Sequence, residues 1–197
     1  MDNIIAAIIS AIITASITLY IHFSRQPKRR GLAYKVLCEL KKKLESPKGE
    51  YCRTKTADDN FEIAQHLYKK VEGEIVATAF HENPANYGEN DLVRLFRQRD
   101  FIRITCEEVC DKKSQKIAKT NLSKIHKSAS LVVIPKGEKY VRVDGMFCRF
   151  RDETYLCFIS FRNPSNPKEN YGIIFREDIA EIFFDYFKEL AKKYNKE

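Results

Sequence analysis

Asn3–Phe23, NIIAAIISAIITASITLYIHF, contains no Asp, Glu, Lys or Arg and repeats Ile along its whole length. About 20 apolar residues rising about 1.5 Å each match the roughly 30 Å hydrocarbon core of a bilayer, so this stretch predicts one transmembrane helix within residues 1–24. A cleavable signal peptide opens on a basic region, has a shorter apolar core and ends in a small-residue cleavage site, and none of these is present. Arg25, Lys28, Arg29 and Arg30 crowd the C-terminal flank and are expected to meet the membrane surface. The positive-inside rule then leaves the N-terminus outside and the C-terminal domain in the cytoplasm, a single-pass membrane protein touching lipid through residues 3–23. Small residues four apart, Ala6, Ser10 and Thr14 beside Ala7, Ala11 and Ala15, allow close helix approach and predict a homodimer.

After the apolar run, residues 25–73 read as a basic juxtamembrane segment with helices, and residues 74–197 as one domain of ordinary size. The 35 Lys and Arg exceed the 27 Asp and Glu, a net charge of +8. The excess lies beyond the flank too, at Lys41–Lys43, Lys112, Lys113, Lys116, Lys119, Lys124 and Lys127, which points to nucleic acid or anionic lipid as partner. The six cysteines carry no zinc-like double spacing and, in a cytosolic domain, read as reduced thiols. No Gly-rich phosphate loop, metal-ligand cluster or Ser-His-Asp pattern is visible, so neither metal nor cofactor is expected.

Periodicity predicts helices over Lys28–Glu45 and from Thr56 or Asp58, a buried strand at Glu74–Phe80, a helix at Glu89–Arg99, a strand at Phe101–Thr105 and a basic helix at Glu107–Lys127. The second half predicts strands at Leu131–Ile134, Tyr140–Arg151, Tyr155–Phe161 and Gly172–Phe175, then an amphipathic helix from Glu177. The expected fold class is therefore α/β (α+β), a mixed sheet flanked by helices behind one N-terminal transmembrane helix.

The stretch GMFCRFRDETYLCFISFRNPSNPKENYGIIFREDIAEIFFDYF resembles the second half of a phospholipase D-type domain, over roughly Glu74 to Tyr194. That family carries His-x-Lys-x4-Asp on one strand, a turn, a strand ending near Gly-Ser-x-Asn, a loop, a strand and a closing helix. With Asp152 at the family's aspartate, Gly145 occupies the nucleophilic His position and Phe147 the Lys position; Ser160 matches the small hydroxyl residue and Arg162 replaces its Asn. Phosphodiester cleavage needs an imidazole to attack phosphorus and a cation on its oxygens, which Gly and Phe do not supply. The resemblance implies the fold and argues against the activity.

The expected function is a membrane-anchored, catalytically inactive phospholipase D-like module that binds a phosphate-bearing ligand or a partner. Its cleft would be lined by His81, Asn83, Tyr87, Arg149, Asp152, Ser160, Arg162 and Asn163, with Arg149, Ser160, Arg162 and Asn163 holding the ligand. The remaining acid/base candidates are His81 and Asp152. Two alternatives stand beside it: a membrane-tethered phosphodiesterase, nuclease or phospholipid hydrolase, and a structural subunit with a protein partner in a membrane complex.

Overall fold

The computed structural model describes residues 31–44, 52–54, 56–81, 83–86, 100–125, 128–162, 166 and 170–195. Its strands are β1 (Cys52–Thr54), β2 (Gly73–Ala79), β3 (Asp100–Cys106), β4 (Ser130–Ile134), β5 (Asp144–Phe150), β6 (Tyr155–Arg162) and β7 (Asn170–Arg176). They form one seven-stranded sheet in the order β1-β7-β6-β5-β2-β3-β4. β2, β3 and β4 are parallel, and β5, antiparallel to β2, begins the antiparallel half that runs through β6 and β7 to β1.

Helices α1 (Leu32–Lys43), α2 (Ala57–Lys70) and α3 (Lys112–Ile125) cover one face, and α4 (Asp178–Tyr194) the other. Val36, Leu37 and Leu40 of α1, Ile63 and Leu67 of α2 and Ala118 and Leu122 of α3 join Ile75, Phe101, Cys148, Phe150 and Phe158 in the first core. Phe184 and Phe187 of α4 join Val76, Ile104, Phe147, Cys157 and Ile159 in the second. Residues 31–197 form one compact unit, so α1 and α2, which the sequence reading assigned to a juxtamembrane segment, share a core with the sheet.

The expected transmembrane helix is corrected here. Among the described residues no helix is long and apolar enough to cross a membrane. The longest described helix, α4, has 17 residues and interrupts its apolar stripe with Glu181, Asp185, Lys188 and Glu189. The fold class is thus a mixed α/β sheet flanked by helices, and the single-pass location with an outside N-terminus is withdrawn with the span. Residues 3–23, the lipid-contacting stretch, and Arg25, Lys28, Arg29 and Arg30 lie outside the described residues, as does the helix expected at Glu89–Arg99.

Local chemistry sets the element boundaries. α2 starts in a capping box, with the Asp59 amide donating to Thr56 Oγ1 at 3.1 Å and the Thr56 amide to Asp59 Oδ2 at 3.2 Å. α3 begins at Lys112 rather than Glu107 because residues 107–110 close a turn, with the Cys110 amide donating to the Cys106 carbonyl at 3.0 Å. Asp111 then caps it, accepting from the Ser114 amide at 2.8 Å. β5 begins at Asp144 rather than Tyr140 because the preceding segment runs along α4, where the Val141 amide donates to the Tyr186 hydroxyl at 2.9 Å. β1, in a stretch for which the sequence predicts no strand, pairs with β7 at the sheet edge.

α1 has no cap of its own, since its N-cap residue is Gly31. Asp152, in the β5–β6 turn, caps it instead: the Leu32 amide donates to Asp152 Oδ2 at 2.7 Å, and the Ala33 amide to Thr154 Oγ1 at 3.1 Å. Gly31 permits the approach, because a Cβ there would lie 2.3 Å from Thr154 Cγ2 and 2.8 Å from Asp152 Oδ2. Burial pushes the Asp152 carboxyl up, but the Thr154 hydroxyl and the Leu32 and Thr154 amides outweigh it and hold it below the ordinary carboxylate value. A carboxyl lowered in this way contributes stability above its ordinary value and loses it as pH falls through the folded-state value. Asp152→Ala is expected to cost about 1 kcal/mol at neutral pH. In urea titrations the gap to wild type should close as pH drops below the ordinary carboxylate value.

Candidate functional site

The edge where β2 and β3 end brings together polar side chains from several elements, His81, Asn83, Asp144 and Ser160 among them. α2 and α3 run antiparallel to the strands they precede and follow, so both helix N-termini lie at this edge, with the start of β5 and the end of β6. In open α/β sheets, ligands commonly bind beyond the carboxyl ends of the strands.

His81 follows β2 directly. Its Nδ1 lies 3.1 Å from Asp144 Oδ2, and Asp144 Oδ1 accepts the Phe80 amide at 2.6 Å. Thr78 Oγ1 donates to the Val143 carbonyl at 2.6 Å and fastens the start of β5 to β2. With the carboxylate fixed on two sides, Nδ1 is the donor of the imidazole and Nε2 its acceptor. The His81 side chain is 52% exposed against 22% for Asp144, so Nε2 is open to an incoming ligand.

Asn83 connects this pair to α3, its amide donating to Ser114 Oγ at 2.7 Å. From there Lys112, Lys113, Lys116 and Lys119 project outward, all exposed, and no carboxylate among the described residues lies within ion-pair distance of them. Ile117 sits among them, 43% exposed, while Ala118 and Leu122 turn into the core. Asp111 is the acidic residue beside this face; the Ser114 amide and hydroxyl hold its carboxyl below the ordinary value.

On the other flank Ser160, the cross-strand neighbour of Asp144, accepts from Asn60 Nδ2 at 3.1 Å, and Thr54 donates to Asn60 Oδ1. Arg162 ends β6 at this same edge, opposite Asn170, but its side chain lies outside the described ones, as do Asn163 and Tyr87. The structure therefore brings His81, Asn83 and Ser160 to one edge.

Arg149 and Asp152 lie at the opposite end of the sheet. Arg149 pairs with Glu74 at 3.1 Å and Glu153 at 3.6 Å and rests over the Phe184 ring. Asp152 caps α1. Both side chains are occupied in holding the fold.

The positions that the phospholipase D resemblance assigns to His and Lys are filled by packing. A Cβ on Gly145 would lie 2.5 Å from the Phe158 carbonyl oxygen and 3.1 Å from Phe147 Cζ. Phe147 is fully buried and stacks on Phe187 and Phe183 with ring centroids 4.5 and 5.8 Å apart. Burial pushes the Cys157 thiol up to about 12, leaving no thiolate at neutral pH, and Cys148 is equally buried.

Asp144 escaped the sequence reading. Its pairing with His81 depends on the register that sets Thr78 opposite Gly145, and no local spacing announces it.

No protein-family model and no curated protein matches the sequence. Among solved structures, the chain is similar to Nuc from Salmonella typhimurium, a phospholipase D family member, with 10% identity and a TM-score of 0.50 over 73% of this chain and 94% of that one. It is also similar to TrmBL2, an archaeal chromatin protein with a novel mode of DNA binding, with 9% identity and a TM-score of 0.54 over 96% of this chain. The chain spans 64% of the length of that protein. NucT from Helicobacter pylori matches with 12% identity and a TM-score of 0.47 over 73% of this chain and 94% of that one. At such identities the likeness is one of fold, and the fold is phospholipase D-like.

Proposed function

We propose that this chain is a phospholipase D-like module that binds nucleic acid along the lysine face of α3 and lacks the cleavage chemistry of that family. The observation that carries the reading is Lys112, Lys113, Lys116 and Lys119, presented on one exposed helix face without ion-pair partners among the described residues. Lysines that neutralise phosphates displace their condensed counterions, and that release is the ordinary source of salt-dependent affinity for a polyanion. Ser160 and the backbone of Arg162 extend the same edge and, with Asn163, which lies outside the described residues, are assigned to the ligand; His81 and Asn83 stand between that edge and α3. Gly145 and Phe147 support the absence of the family's phosphodiester attack. TrmBL2, which shares the fold, is itself described as binding DNA.

The test is a salt titration of binding to a labelled single-stranded oligonucleotide, comparing the full chain with the triple variant Lys112→Ala, Lys116→Ala, Lys119→Ala. Each lysine that meets a phosphate adds about 0.7 to the slope of log affinity against log salt, so the variant is expected to flatten it by about 2. An unchanged slope and affinity overturn the assignment. Salt-sensitive binding to anionic vesicles with none to the oligonucleotide redirects it to lipid headgroups.

A further inference from the structure

We propose that the His81–Asp144 pair is a general-base centre that cleaves a polyanion bearing 2′-hydroxyl groups, that is, RNA. The inference rests on the nucleic-acid reading above and goes beyond it by assigning a reaction.

Asp144 is immobilised before it meets the imidazole, since its other oxygen already accepts the Phe80 amide at 2.6 Å and it starts a strand paired on both sides. It therefore fixes both the orientation and the tautomer of His81. A histidine oriented by a carboxylate through Nδ1, with Nε2 free, has the arrangement of a general base. Here no hydrogen bond to a described residue occupies Nε2, so the proton it takes comes from the ligand. The neighbouring groups point to which ligand. Asn83, two residues on, is tied to Ser114 of α3, the helix that carries the lysine face. A phosphodiester chain lying along those lysines passes the exposed imidazole. Ribose supplies its own nucleophile there, and deoxyribose does not.

In the step, Nε2 takes the proton of the 2′-hydroxyl and the 2′-oxygen bonds to the adjacent phosphorus. The bond from phosphorus to the 5′-oxygen breaks, and the departing alkoxide takes a proton from water. The imidazolium returns its proton to the hydroxide so formed. The products are a 2′,3′-cyclic phosphate and a 5′-hydroxyl end, and no co-reactant is consumed. The lysines offset charge on the non-bridging oxygens. His81 is the catalytic residue, and Asp144 is a positioning residue that acts through it.

The probe is a labelled DNA oligonucleotide with a single ribonucleotide, incubated with the full chain, His81→Gln and Asp144→Asn, with binding measured in parallel. Wild type is expected to cut only beside the ribonucleotide and to leave a cyclic phosphate. His81→Gln should lose about 100-fold in rate with binding retained. Asp144→Asn should reduce the rate less and change the shape of the pH–rate profile, which a purely structural aspartate would not do. Wild type that binds without cutting overturns the proposal and leaves the binding reading intact. Equal cutting by wild type and His81→Gln also overturns it, and a probe that does not bind at all removes both readings.

Discussion

The double variant Gly145→His, Phe147→Lys, which rewrites the phospholipase D motif into this sequence, is expected to unfold the domain rather than create a nuclease. The β6 backbone leaves no room at position 145, where even a methyl group would approach the Phe158 carbonyl to 2.5 Å. Relief requires β5 and β6 to separate, and these strands stand at the centre of the sheet. Position 147 is worse for a cation. Phe147 has no solvent exposure and stacks against both Phe183 and Phe187, so a lysine there removes aromatic burial and places an unpaired charge in the second core. Large core truncations alone cost about 3–5 kcal/mol. A domain of this size has on the order of 5–15 kcal/mol in total, so the two changes together remove most or all of it. Thermal unfolding should show no cooperative transition at room temperature, and the protein should not hydrolyse DNA. A folded double variant that cleaves DNA would show that these positions hold an open, merely vacated active site.

Glu74→Ala is expected to produce the next largest loss. Glu74 is 9% exposed on β2, and its carboxylate meets Lys188 Nζ at 2.7 Å and Arg149 at 3.1 Å, with Arg149 directly opposite it on β5. Both cations also rest over the Phe184 ring, so this cluster fastens α4 to the sheet. Removing the carboxylate leaves two like charges facing one another. Deleting one partner of a fully buried pair costs about 3–5 kcal/mol. The Arg149 and Lys188 side chains are 35% and 27% exposed, so water relieves part of that penalty and about 2 kcal/mol is expected. Urea denaturation measures it, and adding Lys188→Met should recover part of the loss by removing the repulsion. A neutral Glu74→Ala would mean that the cluster is solvated and holds nothing.

Elements whose apolar residues repeat at helical or strand spacing form where the sequence predicts them. Leu32 to Leu40 repeats at helical spacing, Ile75–Phe80 is apolar but for Thr78, and Tyr155–Phe161 lies in a strand that the Asp152–Glu153 turn introduces. Boundaries drifted where tertiary partners set them: Asp111 caps α3 and Tyr186 draws Val141 away from the sheet. The candidate site was legible only in part. Ser160 carries a motif position and His81 ends a strand, but Asp144 and Asn60 meet them through registers between elements tens of residues apart. Arg149 and Asp152 were assigned to the cleft because they flank the motif in sequence. Strand β5 is seven residues long and places them at the far end of the sheet.

The most direct test of the account exposes the full chain to a labelled all-deoxy single strand at several salt concentrations and follows binding and cleavage in the same samples. The account predicts binding that weakens steeply with salt while the strand stays intact. Cleavage of the deoxy strand by wild type, retained in His81→Gln, would contradict it, because neither Gly145 nor Phe147 offers a group to attack phosphorus.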